Sequence, residues 1–105
     1  MKHYFILDER LGIEVPDSQE DWDEIPKQDQ QHILLKWESI RGHIPDRIQE
    51  LEQTINQKQH QLDHEADFGI SCRLNSEIAN LASVINDLWL WYRIHQDISA
   101  EKTHS

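Results

Sequence analysis

"LLKWESIRGHIPDRIQELEQTI" (residues 34–55) decides the architecture, because Gly42 and Pro45 sit between two stretches of helical pattern. Upstream, Ile33, Trp37, Ile40 and Ile44 step by four, three and four, which is one face of an α-helix. Gly42 supplies a C-terminal stop and Pro45 a restart. Downstream, Asp46 and Gln49 have the D-x-x-Q form related to a capping box. Ile48, Leu51, Ile55 and Leu62 then follow on a three–four spacing, interrupted by Lys58. The pattern predicts two helices, about 26–41 and about 46–66, with a turn between them.

A second corner is expected at "DFGIS" (67–71), where Gly69 is free to adopt positive φ and Ser71 to cap the helix that follows. That third helix, about 71–98, carries the longest regular stripe in the chain: Leu74, Ile78, Leu81, Ile85, Leu88 and Tyr92. The heptad phases do not match across the corner. This favours an antiparallel hairpin over one unbroken rod, although Ala66, Ile70 and Leu74 offer an apolar path for the rod. Folded back, the seam pairs Leu62 with Leu74 and Ile78, Ile55 with Leu81, and Leu51 with Ile85 and Leu88. The fold class expected is all-α: an antiparallel helical hairpin or three-helix bundle with a coiled-coil-like seam and a short N-terminal arm.

"NDLWLWYRIHQ" (86–96) then poses a burial problem. On a helix, Leu88, Trp89 and Tyr92 share the seam face, whereas Val84, Trp91 and Ile98 recur at seven-residue intervals on a second face that Leu90 and Ile94 widen. One partner helix cannot cover both. The surplus is expected to be the interface of a two-fold homodimer, built on Val84, Leu90, Trp91, Ile94 and Ile98. The competing expectation is that helix 1 and the N-terminal arm cover it within a monomer.

Residues 1–24 read as that arm plus an acidic linker. Two short apolar runs, Tyr4 to Leu7 and Gly12 to Val15, flank a polar turn, and fit either a small β-hairpin or an extended strand lying on the helices. "PDSQEDWDEIP" (16–26) follows, with five acids between Asp17 and Glu24 around Trp22. It reads as a solvated linker or one turn capped by Ser18, with docking of a basic protein partner as the functional alternative, and deleting residues 1–24, arm included, is expected to leave the helices folded. The tail 99–105 has nothing to bury and is expected to fray.

The net charge of −10 and a pI near 4.9 repel phosphate backbones and anionic membranes, so neither nucleic acid nor a membrane is expected as a partner. One cysteine, Cys72, cannot form an internal disulfide, and the N-terminus lacks the apolar run of a signal peptide. Together these point to the cytoplasm. No phosphate-cradling loop, nucleophile elbow, paired-cysteine site or H-E-x-x-H motif occurs, so no enzyme activity and no cofactor are expected.

The nearest approach to a metal site is "HQLDH", which sets His60 and His64 four apart with Glu65 and Asp67 nearby; Asp29 with His32 is similar. A metal-binding protein or cryptic metal-dependent enzyme using these helix-borne histidines is the alternative function. Residues 34–55 also have the outline of a helix-turn-helix, but Asp46, Glu50 and Glu52 would face phosphates, so a plain helical hairpin is the better reading. The expected function is therefore a small protein–protein interaction module: an adaptor, regulator or assembly subunit working as a homodimer.

Overall fold

The computed structural model describes residues 4–17 and 21–104, with side chains to Ile94. It comprises strands β1 (Phe5–Asp8) and β2 (Ile13–Pro16), a short 3-10 turn (Trp22–Glu24), and helices α1 (Lys27–Asp63) and α2 (Phe68–His104). Each helix has 37 residues. At ~1.5 Å rise per residue that is about 55 Å of rod, and the molecule accordingly measures 59 × 26 × 18 Å.

The two helices expected on either side of Gly42 and Pro45 are one helix, so the chain is not a three-helix bundle and has no helix-turn-helix or hairpin turn at that point. The physical reason is visible in the burial pattern. Proline inside a helix costs about 3 kcal/mol, and an exposed glycine about 1 kcal/mol relative to alanine. Straddling Pro45, however, Ile44 and Ile48 are both fully buried, and each such side chain contributes about 1.5–3 kcal/mol. Ile44 to Ile48 is one helical turn, so the stripe of Ile33, Trp37, Ile44, Ile48 and Leu51 crosses the proline without losing its face.

The break that does occur is His64–Asp67, which makes α1 and α2 an antiparallel hairpin rather than a rod. It lies earlier than "DFGIS", and its chemistry differs from expectation. Asp67 is the residue that caps α2: its Oδ1 accepts the Ile70 N–H at 3.0 Å, while Glu65 Oε1 accepts the Asp67 N–H at 3.0 Å. Ser71 already lies inside the helix, its N–H donating to the Asp67 carbonyl at 3.0 Å. Gly69 is helical too, and Gly12 is the glycine with positive φ, at 78°. Along the seam Lys58 Nζ meets Glu77 Oε2 at 3.2 Å, and Arg41 Nη1 donates to the Tyr92 carbonyl at 3.3 Å.

The N-terminal arm is a β-hairpin with register Phe5 to Pro16, Ile6 to Val15, Leu7 to Glu14 and Asp8 to Ile13. Its tip is shaped by Asp8, whose carbonyl accepts the Gly12 N–H at 2.8 Å and whose Oδ1 accepts the Leu11 N–H at 3.0 Å. Leu11, Ile13 and Val15 alternate onto one face and enter the same core as Trp37, Ile44, Ile48, Leu51, Val84 and Leu88. Leu11 is 1% exposed. The expectation that the arm is dispensable therefore meets a hairpin that supplies core side chains. Ser18, proposed as a cap, lies outside the described residues, and so does the tail expected to fray, apart from the helical backbone of α2 to His104.

Candidate interaction surface

The five residues expected to form one interface occupy different environments. Val84 is 6% exposed and belongs to the core cluster. Trp91 packs edge-on against buried Trp37, ring centroids 5.8 Å apart at 70°. Ile94 is half-buried, Leu90 is 52% exposed, and the side chain of Ile98 lies outside the described residues. Of the described four, only Leu90 presents most of its side chain to solvent.

The β-hairpin explains the difference, because it lies on the face of α2 that holds Val84. Arg10, in the hairpin turn, donates from Nη1 to Asp87 Oδ2 at 2.7 Å and from Nη2 to Ser83 Oγ at 2.8 Å. From the other helix, Arg47 Nε donates to the Leu11 carbonyl at 3.1 Å. Lys36 Nζ sits 3.1 Å from Glu14 Oε2 and 4.7 Å from the centre of the Phe5 ring. Solvent-exposed ion pairs of this kind are each worth under about 1 kcal/mol; their role is to fix where Leu11, Ile13 and Val15 enter the groove. Val84 thus has an internal partner that the heptad pattern of α2 alone does not reveal.

The aromatic end of α2 is also partly satisfied from within. Leu88 is fully buried, Arg41 lies 4.6 Å from the centre of the Tyr92 ring, and Trp89 meets Tyr92 edge-on with centroids 5.6 Å apart. Trp89 and Leu90 are left facing outward. Further apolar side chains stand exposed at Leu35 on α1, at Phe68 beside the corner, and at Ile6 and Leu7 on β1.

In the acidic segment, the Trp22 carbonyl accepts Gln30 Nε2 at 2.6 Å, Ile25 is buried, and Asp17, Asp21, Asp23 and Glu24 are exposed. The segment is thus pinned to the start of α1 while its described carboxylates face solvent.

His60 and His64 do come together, with ring centroids 4.6 Å apart, but His64 Nδ1 is engaged 2.9 Å from the His60 carbonyl. Asp29 is held by the Tyr4 hydroxyl, which donates to Oδ2 at 3.1 Å. Among the described residues no group of three or more His, Cys, Asp or Glu side chains is arranged to hold a metal ion. Cys72 is exposed and unpaired. No helix among the described residues is long and apolar enough to cross a membrane.

The fold and surface together define an antiparallel α-hairpin braced by an N-terminal β-hairpin. No protein-family model matches the chain, and neither does any curated protein or solved structure.

Proposed function

We propose that this chain is a cytoplasmic protein–protein interaction module, an adaptor, regulator or assembly subunit, that works as a homodimer. The observation that carries the reading is the amount of apolar side chain left uncovered after both hairpins have packed: Phe68 is 82% exposed, Leu35 73%, Leu7 58%, Ile6 53% and Leu90 52%. Of these, Ile6 and Leu7 adjoin on β1, and neighbouring apolar side chains left exposed are the kind of surface that meets another protein. The exposed carboxylates of Asp17, Asp21, Asp23 and Glu24 provide a second, polar face suited to a basic protein partner.

Sedimentation velocity at about 100 µM, far above the dissociation constant of a specific dimer, tests the reading. A species near twice the chain mass of 12.5 kDa is expected, and a compact monomer would overturn the homodimer.

A further inference from the structure

The β-hairpin has two edges, and they are not equivalent. Asp17 N–H donates to the Tyr4 carbonyl at 2.9 Å, and Pro16, which lies opposite Phe5, has no N–H to give. Hydrogen-bonded and non-hydrogen-bonded pairs alternate along an antiparallel ladder. Ile6 with Val15 and Asp8 with Ile13 therefore fall, like Tyr4 with Asp17, at hydrogen-bonded positions, while Phe5 and Leu7 turn their N–H and C=O groups to the outer edge. On β2 the matching outward positions are Glu14 and Pro16. Proline there removes a donor, the usual way of blunting an edge, and β2 is the strand packed on α1.

Strand β1 carries no such protection. It contains no proline, its bases and acids are confined to Asp8, and Ile6 and Leu7 are both more than half exposed. Among the described residues no helix group hydrogen-bonds to its backbone. A short apolar edge whose donors and acceptors have no partner among the described residues is a template for another strand.

We propose that β1 is the surface on which the second copy of this chain docks, by antiparallel pairing of β1 with β1 about a two-fold axis through Ile6. The inference rests on the homodimer reading above. Phe5 of each copy then exchanges two backbone hydrogen bonds with Leu7 of the other, giving four across the axis, and the two sheets become one of four strands. The Ile6 side chains face each other across the close, non-hydrogen-bonded pair, where Cα atoms lie about 4.5 Å apart. The charges favour this register: Asp8 falls opposite Tyr4 of the second copy, so no carboxylate meets a carboxylate, which matters in a chain of net charge −10. An extended peptide from a different protein would satisfy the same backbone groups, but self-pairing also covers Ile6 with its own equivalent.

Three substitutions probe the edge while leaving the hydrogen-bonding backbone groups of the hairpin ladder in place. Leu7→Pro removes an outward N–H only, and should raise the dimer dissociation constant by on the order of tenfold or more while far-UV circular dichroism stays unchanged. Ile6→Cys in a Cys72→Ser background should form a disulfide-linked dimer on mild oxidation, because the Cα separation across a non-hydrogen-bonded pair suits a disulfide. Leu7→Cys in the same background, facing Phe5 rather than itself, should cross-link far less. If wild type is a dimer that survives Leu7→Pro with no preference for cross-linking at position 6, the edge inference is wrong while the homodimer stands. A wild type monomeric at about 100 µM removes both. Should Leu7→Pro unfold, the cross-linking pair alone decides between these outcomes.

Discussion

The guanidinium of Arg47 lies so close over Gly12 that a Cβ on that glycine would stand 2.8 Å from Nε and 2.9 Å from Nη2. Gly12 also holds φ at 78°, so an alanine there meets both a backbone penalty and a side chain already committed to the Leu11 carbonyl. Gly12→Ala should destabilise the fold by roughly 1–3 kcal/mol, read as a lower urea midpoint with an unchanged slope. An effect under about 0.5 kcal/mol, the scale of an ordinary surface substitution, would show that the tip is not locked between the helices.

Gly42 presents the opposite case. It has helical φ, and a Cβ on it would meet nothing within 4 Å. Gly42→Ala should therefore stabilise by about 0.5–1 kcal/mol, through helix propensity and a less flexible unfolded chain. Were 42–45 a turn, the same change would be neutral or harmful, so chemical denaturation of this one variant distinguishes a continuous α1 from two helices.

The seam was readable from spacing because Leu51, Leu74 and Leu88 obey a period that only a helix produces. The turn that glycine and proline suggest at 42–45 does not form, because the four-residue step from Ile44 to Ile48 is the stronger signal. Two buried isoleucines outweigh one missing N–H. The hairpin followed the same logic at period two: Leu11, Ile13 and Val15 alternate, and that alternation extends one residue into what looked like a polar turn. Val84 could not be placed from its own helix, since what covers it is remote in sequence and comes from the hairpin. The outer edge of β1 depends on which backbone groups point outward, which residue spacing alone does not reveal.

The core role of Leu11 leads to a prediction about the arm. A leucine that is 1% exposed, wedged between α1 and α2, should cost about 2–5 kcal/mol when cut to alanine. Leu7→Ala, on the same hairpin but largely exposed, should cost well under that, within about 0.5 kcal/mol in the monomeric state. Removal of residues 1–16 should lower the cooperativity of thermal unfolding by stripping three side chains from the core. A truncated chain that melts as sharply as the full one would return the arm to the status of an accessory.

At the corner, Asp67 and Ser71 compete as the cap of α2, and substitution separates them. Asp67→Ala removes the acceptor of the Ile70 N–H and should cost about 1 kcal/mol. Ser71→Ala, inside the helix, should be neutral or slightly stabilising, since alanine has the higher helix propensity. The reverse ranking in thermal melts would move the start of α2 four residues on.

Trp91 bears on how any dimer should be dissected. Its ring meets the edge of Trp37, which is 1% exposed and whose indole N–H has no hydrogen-bond partner. A charge at position 91 would be placed against this core, where an unpaired carboxylate is strongly unfavourable. Trp91→Glu should therefore destabilise the chain by more than about 2 kcal/mol, and loss of association in that variant would report unfolding as much as a lost interface. Leu90→Glu sits one residue away on the solvent side and should leave stability within about 0.5 kcal/mol of wild type. Comparing the two by urea denaturation, with sedimentation run alongside, separates core from contact surface: equal stability losses would mean that α2 is rotated relative to the burial described here, and a dimer unaffected by Leu90→Glu but lost in Leu7→Pro would assign the contact to the β-hairpin.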